Sequence, residues 1–192
     1  MVMDTLYFVL GSLDESNGRM VERGDDAIER FYGNERHKAE VFRTYLEKLA
    51  EDRGRSAAIE TEIDGGGRTI FRSSELALLI NSCYKLVKDA GYCDEAGVSM
   101  GSRVMFASHE LFGETSRLKE LSFLAGAYAR FGEGNTFRMA NAEHKVDLVA
   151  RLLSQYGCRE LSVTYLPTYV PRVFVLSFEP SKEIGEIVEA CV

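Results

Sequence analysis

The sequence predicts an α+β fold made of two pseudo-symmetric αββαββα repeats, and three observations point to it. The first is an internal match: Asn34-Glu-Arg-His37-Lys38-Ala-Glu40-Val41 returns as Asn141-Ala-Glu-His144-Lys145-Val-Asp147-Leu148 at a constant offset of 107. The second is that Leu6-Tyr-Phe8-Val9-Leu-Gly11 returns as Leu121-Ser-Phe123-Leu124-Ala-Gly126 at an offset of 115. The offset changes by 8 where the stretch from Gly18 to Gly33 exceeds that from Gly132 to Ala140, so a hairpin of variable length absorbs the difference. The third is composition: 192 residues, 45% of them apolar, with 17 Gly and 3 Pro, supply an ample core.

Each half reads as helix, hairpin, helix, hairpin, helix. The opening helices are expected over 4–16 and 116–131, the second with Leu118, Leu121, Ala125 and Tyr128 at helical spacing and Thr115 or Ser116 as its cap. TLYFVL at 5–10 has strand character too, and the repeat assigns it to a helix. Strands follow at 19–23 with 27–32, and at 134–140 with a poorly defined partner. The helices at 34–53 and 141–156 each begin at an Asn that can cap them. They carry Val41, Tyr45, Leu46 and Leu49 in one half, and Val146, Val149, Ala150 and Leu153 in the other. Strands 56–63 and 68–72 flank Asp64-Gly65-Gly66-Gly67, whose glycines suit a tight hairpin. Strands 160–166 and 172–178 flank Pro167 and Pro171, which belong in a loop. A helix over 73–90 places Leu76, Leu79, Ile80, Cys83 and Val87 on one face. The expected organisation is thus a first repeat at 1–90, a linker at 91–115 and a second repeat at 116–192, in one compact unit. Internal duplication makes a monomer the simpler expectation.

Several classes are disfavoured. No apolar run approaches the roughly 18 residues of a spanning helix, and MVMDTLYFVL lacks the basic stretch of a secretory signal. A cytoplasmic location without membrane partners is the expectation. Cys83, Cys93, Cys158 and Cys191 form no CxxC pair or zinc spacing and read as reduced thiols. With 23 basic and 30 acidic residues, a net of -7, the chain is unsuited to coating nucleic acid nonspecifically.

With the repeat in view, the sequence resembles the LAGLIDADG homing-endonuclease family in its single-chain, two-repeat form. The second motif copy is Leu124-Ala125-Gly126-Ala127-Tyr128-Ala129-Arg130-Phe131-Gly132, matching at the opening Leu-Ala-Gly and the closing Gly. The first is Val9-Leu10-Gly11-Ser12-Leu13-Asp14-Glu15-Ser16-Asn17, with Gly18 one place late. His109-Glu110-Leu111-Phe112 before the Leu118 to Leu124 helix also resembles the approach to the second motif in intein-type members. The resemblance implies two motif helices side by side at a pseudo-twofold axis, beneath two four-stranded antiparallel sheets that make a saddle over duplex DNA. Gly11 and Gly126, lacking side chains, would let the helix backbones approach, with Ser122 and Ala129 extending the small surface.

In the family, the eighth motif residue is an acid that binds the divalent metals of catalysis. Here those positions are Ser16 and Phe131, and neither offers a hard cation the charged oxygen it requires. Asp14, Glu15 and Glu133 lie within two residues and are the candidate catalytic acids, with Asp14 and Glu133 the candidate ligands for Mg²⁺. A helix turns about 100° per residue, so such displaced acids point elsewhere. The resemblance therefore implies a duplex-DNA-binding protein deficient in cleavage, needing no cofactor. The alternatives are an active Mg²⁺-dependent site-specific endonuclease and a protein-interaction module on the same scaffold. RNA, bound by intron maturases of the family, is a further possible target.

The expected strands, with Arg159 just before one of them, carry eight arginines (Arg19, Arg23, Arg30, Arg68, Arg72, Arg138, Arg159 and Arg172) against five glutamates (Glu22, Glu29, Glu60, Glu62 and Glu160). Arginine suits bidentate contact with guanine or phosphate. The DNA-contact candidates are Arg19, Arg30, Arg68, Arg72, Arg138 and Arg172. Asp25, Asp26 and Asp64 at the hairpin tips cancel the excess when counted. Lys38 and Lys145 read as solvated, or as backbone contacts wherever their helix starts approach DNA. His37 and His144 read as local first-turn partners. Gly97-Val98-Ser99-Met100-Gly101 spells a nucleophile-elbow motif without the strand and helix that it needs, and Gly65-Gly66-Gly67 has no Lys-Ser/Thr after it to form a phosphate loop.

Overall fold

A computed structural model describes residues 2–14, 26–54, 58–93, 99–105, 116–140, 142–166 and 172–191. The elements in order are α1 (Thr5–Ser12), β1 (Ala27–Phe31), a 3₁₀ turn (Gly33–Glu35), α2 (Arg36–Asp52), β2 (Glu60–Ile63), β3 (Thr69–Arg72) and α3 (Ser74–Asn81). A hairpin of β4 (Tyr84–Cys93) and β5 (Ser99–Met105) follows, then α4 (Ser116–Phe131), β6 (Gly132–Glu133), β7 (Thr136–Ala140), α5 (Glu143–Gln155), β8 (Arg159–Leu166), β9 (Val173–Glu179) and α6 (Lys182–Ala190).

The α+β expectation holds, with two antiparallel sheets built alike. One runs β1-β3-β2 and the other β6-β7-β9-β8, so β1, β3 and β2 occupy the places of β7, β9 and β8. The expected strand at 19–23 lies outside the described residues, as do the Pro167–Pro171 loop, Asn141 and Thr115. TLYFVL is helical, begun by Asp4, whose carboxylate accepts from the Tyr7 N–H at 3.2 Å.

Three local expectations change. Helix 73–90 ends at Asn81, and the chain then pairs with itself, Leu86 opposite Arg103 and Val87 opposite Ser102, across the expected boundary at residue 90. Its apolar spacing fits a helix only as far as Cys83, where long-range strand pairing takes over. Asn34 does not cap α2: it sits inside the 3₁₀ turn, where the Glu35 carboxylate accepts from the Tyr32 N–H at 2.9 Å. Leu118, placed on the packed stripe, is 45% exposed, while Phe123, Ala125 and Ala127 are fully buried. The centre of α4 is thus enclosed on nearly all sides rather than on one face.

One core joins the halves. Phe31, Phe42 and Phe71 cluster with ring centroids 5.1–5.9 Å apart, and Phe137 meets Tyr128 and Phe178 at 5.7 and 5.6 Å. Between these clusters α1 packs along α4, with Val9, Leu10 and Leu13 wholly buried. Cys83 and Cys158 are buried free thiols, and Cys191 is half-buried and free. Among the described residues no helix is long and apolar enough to cross a membrane.

Burial also makes the fold sensitive to alkali. It pushes the Tyr7 hydroxyl from 10.0 up to about 12 and raises Tyr45, Tyr128, Cys83 and Cys191; Tyr156 is raised by burial and then by its hydrogen bond to Glu120. The folded chain thus holds protons that the unfolded chain releases, so this stability is complete below about pH 9 and drains as pH rises further. Tyr7 alone accounts for about 2–3 kcal/mol between its two values. Urea midpoints should fall steeply between pH 9 and 12, and Tyr7→Phe should flatten that fall. A flat profile in the parent protein would refute this.

Candidate nucleic-acid interface and helix-end cavity

Helix geometry at the core creates the site. Gly11 and Gly126 face the opposite helix: a Cβ built on Gly11 would lie 2.1 Å from the Phe123 carbonyl oxygen, and one on Gly126 would lie 1.9 Å from that of Phe8. Backbone touches backbone, as the repeat and the glycines led us to expect, and Ser122, fully buried, accepts from the Asp4 N–H at 2.8 Å. Both helices then end close together, each presenting carbonyls that no longer have a partner within the helix, at the negative end of the dipole.

Side-chain cations from the opposite half meet those carbonyls. Lys145, on α5 and 2% exposed, donates to the Leu10 and Leu13 carbonyls at 3.2 and 2.5 Å. Its counterpart Lys38, on α2, donates to the Arg130 carbonyl at the end of α4 at 2.5 Å. Arg130, also 2% exposed, donates to the Ser12 and Arg30 carbonyls at 3.0 and 2.9 Å, with Glu29 at 3.2 Å and Glu35 at 3.5 Å. Its guanidinium lies 4.1 Å from the Phe31 ring centroid. Glu29, itself buried, accepts from the N–H groups of Asp14 and Arg30 at 2.6 and 2.7 Å. The reading of Lys38 and Lys145 as solvated is therefore corrected, because the end of another helix, remote in sequence, supplies their partners. Arg130, Glu29 and this role of the lysines were missed. The identical Lys in both repeats was the available signal.

A cavity of about 250 Å³ opens beside these helix ends, lined by Asp14, Glu35, Lys38, Arg130, Glu133 and Arg138 among others. Asp14 and Glu133 thus come to one place; Glu15 and Ser16 lie outside the described residues. Phe131, at the second motif's acid position, has the Lys145 ammonium and the Arg130 guanidinium 5.4 and 5.3 Å from its ring centroid. Three cationic side chains share the lining with three carboxylates, of which Glu35 is bound to Arg130 and to the Tyr32 N–H. No group of three His, Cys, Asp or Glu able to hold a metal ion occurs among the described residues. A divalent cation in this cavity would share it with three side-chain cations, Lys38, Arg130 and Arg138.

On the sheets, strand register aligns Arg30 with Ile70 and Glu62 in one, and Arg138 with Val175 and Thr164 in the other. Arg30 and Arg138 are exposed on the corresponding strands β1 and β7. Thr136, Ser177 and Ser162 form the next row but one, so this face of the second sheet is rich in hydroxyls. Arg68 is bound to Asp64 at 2.7 Å, and Arg72 to Asp26 and Glu62 at 2.8 and 3.2 Å. The Arg68 N–H, with its guanidinium and the Gly66 N–H, holds the Asp64 carboxyl below its ordinary value. The Arg172 guanidinium lies 5.5 Å from the ring centroid of the exposed Tyr165. Arg19 is outside the described residues.

Paired glycine-notched helices beneath two antiparallel sheets define the LAGLIDADG homing-endonuclease fold. Among solved structures, the chain is similar to I-DmoI in complex with DNA and calcium, at 14% identity over 94% of this chain and 85% of that one, with a TM-score of 0.60. It is similar also to mesophilic variants of the homing endonuclease I-DmoI, at 13% identity, 98% and 95% coverage and a TM-score of 0.61. A substituted I-DmoI bound to its target DNA with manganese matches at 15% identity, 96% and 93% coverage and a TM-score of 0.61. At these identities the likeness is one of fold. Neither a protein-family model nor a curated protein matches the sequence.

Proposed function

We propose that the chain is a duplex-DNA-binding protein of the homing-endonuclease fold that does not cleave. The observation that carries the noncleaving half is the helix-end cavity, where Lys38, Arg130 and Arg138 share the lining with the candidate acids Asp14 and Glu133. The binding half is supported by the exposed arginines Arg30 and Arg138 on corresponding strands of the two sheets and by a fold shared almost end to end with a protein solved on its target DNA. The two halves read as an ancestral duplication joined through the β4–β5 hairpin, which would let one chain supply both sheets and act as a monomer.

Binding to mixed-sequence duplex is tested by fluorescence anisotropy in EDTA across a salt series. The expected result is binding at low ionic strength with a steep salt slope. Replacing both Arg30 and Arg138 by Ala should weaken it by about tenfold and reduce the slope by about 2, one for each lost phosphate contact. Preference for RNA would redirect the assignment, and no binding of either nucleic acid would leave the protein-interaction reading. Plasmid nicking that needs Mg²⁺ and is abolished by Asp14→Asn or Glu133→Gln would establish the endonuclease instead.

A further inference from the structure

We propose that Lys38, Lys145 and Arg130 are fixed counter-cations of the paired helix ends, so that this centre carries its positive charge covalently and neither needs nor admits a divalent metal. The inference extends the noncleaving half of the function proposed above and is independent of whether DNA binds. Two helices ending side by side concentrate partial negative charge on their last carbonyls, and such a point attracts a cation. Three side-chain cations fill that demand, through the carbonyls of Leu10, Ser12 and Leu13 at one end and of Arg130 at the other.

The arrangement is reciprocal. Lys145 belongs to the second half and serves α1, whereas Lys38 belongs to the first and serves α4. The two lysines occupy identical places in the repeated segment. Aromatic rings complete the enclosure: the Lys145 ammonium lies 5.6 Å from the Phe123 centroid and 5.4 Å from that of Phe131, where ring faces favour an organic cation. A hydrated Mg²⁺ or Mn²⁺ gains little from such walls and would be repelled by the cations already present.

The test is made on the full chain without DNA. Electron paramagnetic resonance should show Mn²⁺ remaining free at 1:1 stoichiometry with about 0.1 mM protein, and the melting temperature should be the same in Mg²⁺ and EDTA. Tight Mn²⁺ binding lost in Glu133→Gln would overturn the inference, while leaving DNA binding in EDTA to be judged on its own. Lys145→Ala and, because it is less buried and retains the fold more readily, Lys38→Ala each leave room for an added amine. Propylammonium should raise the melting temperature of either variant by about 3 °C or more, with neutral propanol giving no such rise. Equal rescue by both would mean that the lysines act by filling space, and would overturn the proposal.

Discussion

Gly126→Ala is expected to destabilise the protein by about 3 kcal/mol or more, although the same change is ordinarily favourable inside a helix by up to about 1 kcal/mol. The sign is decided by what the new methyl meets. It would lie 1.9 Å from the Phe8 carbonyl oxygen and 2.8 Å from its carbon, both backbone atoms of α1 that no rotamer change can move. Relief requires the two helices to separate by about 1 Å, and a gap of that size forfeits a quarter to a half of each dispersion contact along it. The contacts at stake include Phe8, Val9, Leu10, Phe123, Leu124 and Ala127, all 2% exposed or less. Gly11→Ala meets the Phe123 oxygen at 2.1 Å and should behave alike. Gly185, in α6 with nothing within 4 Å of its built Cβ, is the control and should gain stability on the same substitution. Urea unfolding of the three variants measures this directly. A Gly126→Ala protein as stable as the parent would mean that α1 and α4 do not touch.

Which features could be read from the sequence follows from how far each signal reaches along the chain. The glycine contact was legible because Gly11 and Gly126 stand in repeated surroundings, and a doubled helix with a missing side chain has few uses besides close approach. The succession of helices and hairpins was legible for the same reason, since it recurs in the two halves, whereas the order of strands within each sheet was not read. The strand at Tyr84–Cys93 was hidden, since Leu76, Leu79, Ile80, Cys83 and Val87 satisfy helical spacing and only pairing with a distant segment ends it. The charges around the cavity were the least legible. Lys38 contacts a carbonyl 92 residues away and Lys145 one 132 residues away, so local sequence makes each look like a solvated first-turn lysine. Likewise, the excess of arginine on the strands does not foretell that Arg30 and Arg138 are exposed on corresponding strands, or that Arg68 and Arg72 are bound to neighbouring acids. Asp14 and Glu133 both line the cavity, although the turn of the helix led us to expect displaced acids to point elsewhere, and Lys38, Arg130 and Arg138 share that lining.

Those cations make Arg130→Met the second severe substitution, with an expected cost of about 3–5 kcal/mol. Methionine fills a similar volume, so the loss is one of charge and hydrogen bonds rather than of packing. The guanidinium joins the end of α1, through Ser12, to β1, through Arg30, and neutralises Glu29 in a place where that carboxylate is 8% exposed. Removing it takes a cation 3.2 Å away from a buried anion and leaves the Ser12 and Arg30 carbonyls short of that donor, and the penalty for removing one member of a buried pair exceeds what the intact pair contributes. The diagnostic measurement is a double-mutant cycle. Glu29→Gln in the Arg130→Met background should recover about 1–2 kcal/mol, because the two residues share one interaction and their effects are not additive. Strict additivity would mean that Glu29 and Arg130 act separately, and that the ends of the two helices are held by something other than the charge between them.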